Sequence, residues 1–204
     1  MDQNEKGSAN QTIPVTTLIP KRENTLLLVV DVQERLMAAM PEQVAGNVLR
    51  NIRILVETAG EFGLPVLATE QYPKGLGLTV AELRAALPGE TRPFEKLAFS
   101  CCREPAFPLS ANLAGSRFSG YSVILCGAET HVCVLQTALD LLAVGLRVFV
   151  AADAVCSRVK LNWKLGLDLM HLAVAVIGST EIFAFGLLGA AVTEQFKRIS
   201  RLVK

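Results

Sequence analysis

The chain has 204 residues, 51% of them hydrophobic, which suits one α/β domain with a substantial core. Its net charge is +1 with no long basic run, which argues against nucleic acid or an acidic membrane surface as partner, and no apolar stretch spans a membrane unbroken. Five cysteines without C-x-x-C, and a polar start without an apolar leader, fit reduced thiols in the cytoplasm; two histidines leave little for a histidine-based metal site.

Residues 1–24 are polar, carry Pro14 and Pro20, and read as a mobile tail or a strap on a neighbouring subunit, leaving 25–204 as the folded domain. Thr25-Leu-Leu-Leu-Val-Val30 is apolar on both faces, as a central parallel strand is, and it runs into Asp31-Val-Gln33. Residues 43–62 have helical spacing, and 65–69 form a second strand ending in Glu70-Gln71-Tyr72-Pro73. A short helix at 80–87, a third strand at 95–100 carrying Lys96, and a helix at 109–118 follow. A fourth strand covers 121–126, a helix runs from Val132 to about Val144, and a fifth strand covers 147–151. Residues 163–172 form a helix, 173–177 a sixth strand, Thr180-Glu181 opens a short helix, and 190–202 form the last one. Strands alternating with helices specify a parallel sheet covered on both sides.

Charged and amide side chains at the carboxyl ends of buried strands mark where such sheets hold ligands. Cys133 follows the fourth strand at the start of a helix, where free N–H groups and the helix dipole favour a thiolate and can receive an oxyanion. A buried structural cysteine fits the same position equally well. With the first, third and fourth strands near the sheet centre, Asp31, Lys96 and Cys133 meet at one edge. Asp31 then moves the proton, Lys96 holds the charges and lowers their pKa, and Cys133 attacks a carbonyl carbon. The plainer alternative is an Asp31–Lys96 ion pair that merely tolerates burial.

The order and spacing of Val-Val-Asp31-Val-Gln33-Glu34, Glu95-Lys96, Phe99-Ser100, Gly127-Ala-Glu-Thr-His-Val-Cys133 and Asp153-Ala-Val-Cys-Ser157-Arg158 resemble the isochorismatase-like cysteine hydrolases. The resemblance covers about 25–204, and Glu70-Gln71-Tyr72-Pro73 with Gly75-Leu-Gly77 is similar to the isochorismatase domain-containing subgroup. It implies a three-layer α/β/α fold with a central, mostly parallel six-stranded, Rossmann-like sheet. It implies an Asp31–Lys96–Cys133 triad, a cis peptide at Ala128-Glu129, and an oxyanion hole made by the Glu129 and Cys133 N–H groups. The related nicotinamidases carry Asp-x-His-Pro where this chain has Glu70-Gln71-Tyr72-Pro73, so neither a metal nor another cofactor is expected.

Gln33, Gln71 and Tyr72 are candidate substrate contacts, Gln33 by hydrogen bonding and Tyr72 by closing the pocket. His131, two residues before Cys133, either tunes the thiol or points outward. The leading reading is an enzyme that cleaves an amide-type C–N bond of a small molecule through a thioester. The competing readings are a non-catalytic oligomeric scaffold, a thiol redox protein and a vinyl ether hydrolase. The apolar run Ile182, Phe183, Phe185, Leu187 and Leu188 suggests a homo-oligomer or a core beneath the last helix.

Overall fold

The structure, a computed structural model, describes residues 18–110, 113 and 116–204. Six strands among them form one parallel sheet: β1 Thr25–Val30, β2 Val66–Gln71, β3 Phe94–Lys96, β4 Ser122–Ala128, β5 Arg147–Cys156 and β6 Val176–Gly178. Their order across the sheet is β3-β2-β1-β4-β5-β6. The helices are α1 Glu34–Ala38, α2 Glu42–Glu61, α3 Pro73–Leu76, α4 Ala81–Ala86, α5 Leu135–Ala143, α6 Lys160–Leu172, α7 Thr180–Leu188 and α8 Glu194–Leu202.

All six residues of β1 are buried, as a strand covered on both faces requires. One face packs against α2, α4 and α7 through Leu27, Val29, Ile52, Leu55, Leu83 and Phe183. The other packs against α5 and α6 through Leu26, Leu28, Ala138, Leu141, Leu167 and Met170. The buried stripe of α2, Val48, Ile52, Leu55, Val56 and Ala59, follows helical periodicity, and full burial of each large member contributes roughly 1.5–3 kcal/mol. The result is the three-layer sandwich expected from the alternation of elements.

Several boundaries differ from the sequence reading. β3 stops at Lys96 and lies at the sheet edge, away from the centre, because the chain after it bends to place carbonyls on the lysine. β5 continues to Cys156 through an irregularity, its pairing with β4 shifting from Leu125–Val150 to Gly127–Val155. The described residues of 109–118 make turns instead of a helix, and the last helix begins only at Glu194, where the Thr193 hydroxyl accepts from the Phe196 N–H. Residues 1–17 of the proposed tail lie outside the described residues. Of residues 18–24 only Pro20 is buried, but the segment is anchored: Arg22 donates to Leu188 O at 3.1 Å and lies over the Phe62 ring. In the apolar run of α7, Phe183, Leu187 and Leu188 are buried, and Phe185 stacks near Phe196 of α8. That run is largely core, with Ile182 half exposed.

β1 and β4 approach so closely at their carboxyl ends that only glycine fits at 127. Its φ is +123°, and a Cβ there would fall 2.0 Å from Val30 O. Gly127→Ala is therefore expected to lower the unfolding free energy by roughly 3 kcal/mol or more, read from urea denaturation. A variant within 0.5 kcal/mol of the parent, on the order of a neutral surface change, contradicts this packing.

Candidate active site

The strand order reverses between β1 and β4, which opens a crevice at their carboxyl ends. β1 enters it through Asp31, whose φ of 50° is a left-handed conformation that aspartate tolerates better than most residues. β4 enters it through Ala128, the Ala128–Glu129 peptide is cis, and one π-helical turn, Thr130–Val134, leads into α5. In that turn Val134 N reaches back to Glu129 O at 3.3 Å, and Leu135 N to Thr130 O. Cys133 thus precedes the α-helix. α6 presses on the turn at Gly166, where a Cβ would stand 3.0 Å from Thr130 O.

Lys96 arrives from the edge strand. Its ammonium lies 2.7 Å from Asp31 Oδ2, and both side chains are fully buried. The same nitrogen donates to Gln71 Oε1 at 2.7 Å, Phe99 O at 3.0 Å and Ala98 O at 3.2 Å. Asp31 Oδ1 accepts from Thr69 Oγ1 at 2.7 Å. Asp31 Oδ2 has no directed hydrogen bond among the described residues, so its contact with Lys96 is one of charge.

The Cys133 thiol interacts with both partners. Burial pushes its pKa up to about 12; the Asp31 carboxylate adds to the rise, and Lys96 lowers it without offsetting the rest. The resting group at neutral pH is therefore the thiol. Burial of Cys133 and the nearby carboxylate oppose the thiolate that a helix start favours.

The Isochorismatase domain model matches residues 25–182. The chain belongs to the isochorismatase family. An isochorismatase domain-containing protein 1 from Salmo salar is 37% identical over 187 residues, covering 92% of this chain. This chain spans 62% of that protein's length. The structure of the MAR1 ribonuclease from Caenorhabditis elegans superposes with a TM-score of 0.81 at 34% identity, covering 91% of this chain and 92% of that one. The YcaC gene product of Escherichia coli, described as an octameric hydrolase of unknown specificity, superposes with a TM-score of 0.74 at 25% identity, covering 88% and 85%.

Within this isochorismatase domain Asp31, Lys96 and Cys133 come together, but the three candidate substrate contacts have other partners. Gln33 is fully buried; its amide donates to Gln71 O and Gly77 O and accepts from Gln71 N at 3.0, 2.6 and 2.7 Å. It ties β1, β2 and the 73–79 loop together, with no atom left for a ligand. Gln71 bridges Lys96 and Leu97 O, the latter at 2.8 Å. Tyr72 is exposed, and its ring lies against Gly75. His131 is held by Ser157 at 3.0 Å and Asn162 at 3.3 Å, so it braces the turn against α6.

The metal-motif position is also committed. Glu70 accepts from the N–H and hydroxyl of Thr79 at 2.6 and 2.7 Å. Tyr72 brings no ligating nitrogen, and no three His, Cys, Asp or Glu side chains among the described residues converge on a metal-sized site. The donor set does not fit zinc.

Thr69 and Arg158 were not singled out as site residues. Thr69 pairs with Val30 in the sheet register, which sets its hydroxyl beside Asp31; its place at the end of a buried strand was the available signal. Arg158 donates twice to Glu129 Oε1, at 3.1 Å from each nitrogen, and lines a cavity of about 490 Å³ with Ser157, Asn51 and Trp163 beside the crevice.

Breaking the buried pair on one side is expected to destabilise strongly. Asp31→Asn and Lys96→Met should each lower the unfolding free energy by about 3–5 kcal/mol. The double variant should lose clearly less than the sum. Strict additivity in denaturant titrations contradicts a coupled buried pair.

Proposed function

We propose that this chain is a cysteine hydrolase that cleaves an amide-type C–N bond of a small molecule through a thioester at Cys133. The observation that carries the reading is the charge-paired Asp31 carboxylate, 2.7 Å from Lys96, beside a thiol whose proton is held by burial first and by Asp31 second. A resting thiol with a pKa of about 12 needs a proton acceptor at the moment of attack, and the influence of the Asp31 carboxylate on that thiol supports Asp31 in this role.

In the proposed sequence the Cys133 sulfur forms its bond to the carbonyl carbon as its proton passes to Asp31. The developing oxyanion is received by the N–H groups of Glu129 and Cys133; that of Glu129 has no acceptor among the described residues. Collapse breaks the C–N bond, and the leaving nitrogen takes the proton from Asp31. A water molecule then attacks the thioester, gives a proton to Asp31, and releases the acid. The same proton returns to the Cys133 sulfur. Lys96, 2.7 Å from Asp31, keeps the carboxyl oriented between transfers.

Cys133 is 5% exposed and Asp31 and Lys96 are fully covered, which supports a small molecule over a polymer as the substrate. The name of the nematode relative raises ribonuclease activity as a test outcome; the net charge of +1 gives no strong overall attraction to a polyanion. We further propose a homo-oligomer in the cytoplasm, with the octameric bacterial relative and five unpaired cysteines as support. No helix among the described residues is long and apolar enough to cross a membrane.

A panel of small primary amides assayed for ammonia release, with and without chelator, tests the reading. Turnover of at least one amide, lost in Cys133→Ala with binding retained and lowered about 10²–10⁴-fold in Asp31→Asn, is expected, and chelation should change nothing. Hydrolysis at the parental rate by Cys133→Ala, or cleavage confined to RNA, overturns it.

A further inference from the structure

An α/β/α sandwich normally keeps the outward face of its covering helices polar. α6 does not follow that rule. Gly166, Leu167 and Met170 face the sheet, whereas Leu161, Leu165, Leu169 and Leu172 point outward and are 48–80% exposed. The spacing of four, four and three residues keeps them on one side of a helix about 20 Å long. Val159 before the helix and Val174 after it are exposed as well. A lone chain rarely leaves such a continuous apolar strip in water.

The charges beside the strip select the occupant. Lys160 and Lys164 stand toward the amino end and Asp168 toward the carboxyl end. Within one chain Lys164 pairs with Asp168, so the strip carries little net field of its own. An antiparallel neighbour with the same sequence sets Lys164 of one copy beside Asp168 of the other, twice, while leucines meet leucines. A two-fold axis across the helix makes the surface its own complement.

We propose that the outer face of α6 is an isologous interface that takes a second copy of this chain in antiparallel register. The inner side of the same helix, at Gly166, supports the turn that carries Cys133, so the interface lies directly behind the candidate nucleophile. The inference rests on the homo-oligomer reading for its partner and adds the surface that makes it.

The test is mass by sedimentation of the full chain at micromolar concentration, with circular dichroism to verify folding. The parent should be a dimer or a larger even assembly. Leu165→Gln with Leu169→Gln should raise the dissociation constant at least tenfold, since both positions are too exposed to disturb the core. Lys164→Glu and Asp168→Lys should each weaken self-association at least tenfold, and mixing the two should restore assembly as a heterodimer. A monomeric parent defeats both this surface and the oligomer reading. An oligomer that ignores all these changes defeats the surface alone. A monomer whose α6 face becomes exposed only when residues 1–17 are deleted assigns the strip to the chain's own amino-terminal segment and likewise overturns the proposal.

Discussion

A carboxylate and an ammonium taken out of water together lose several kcal/mol of hydration each, and their attraction returns that only when the remaining hydrogen-bonding atoms are met. The carboxyl edge of this sheet is arranged around that requirement. Lys96 is given Asp31, Gln71 and two main-chain carbonyls; Asp31 is given Lys96 and the Thr69 hydroxyl. Other features follow from it. β3 ends early so that the 97–99 segment can turn its carbonyls onto the lysine, with the Glu104 carboxylate accepting from Leu97 and Ala98 N–H, both at 2.9 Å. Gln33 pins Gln71, which in turn pins Lys96.

The thiol is placed in the field of this pair. Burial and a nearby carboxylate hold the proton on Cys133, against the pull of the ammonium. A site of this kind does not store a reactive thiolate. In the mechanism we propose, this protonated thiol stands beside Asp31 as acceptor, and the nucleophile is generated as the carbonyl arrives. Glu129 and its Arg158 partner, the Ser157–His131–Asn162 chain and Gly166 hold the turn in place from the side opposite the pair.

Much of this was legible in the sequence where one residue's environment is set by its own strand. The unbroken apolar run ending at Asp31 specified β1, its burial and its place at the crevice. The apolar run of β4, ending at Gly127 before the turn to Cys133, was equally clear. What was not legible depends on partners distant in sequence. Lys96 was assigned to the centre, yet it reaches Asp31 from an edge strand across β2, because a lysine is long enough to do so. Gln33 and Tyr72 sit at the mouth of the crevice in sequence terms, but which of their atoms are free was decided by Gly77, Gln71 and Gly75. The thiol's protonation was not legible, because a helix start in the sequence reveals neither the depth of burial nor the carboxylate opposite.

The central claim is that Cys133 rests as a thiol held by Asp31, and it is tested most directly by the thiolate absorbance near 240 nm. The spectrum of Cys133→Ala is subtracted from that of the parent across a pH titration. The expected difference is absent at pH 8, about the ordinary range for a free thiol, and grows only as the pH approaches about 12; in Asp31→Asn it should appear at lower pH. A full thiolate signal already present at neutral pH in the parent contradicts the account.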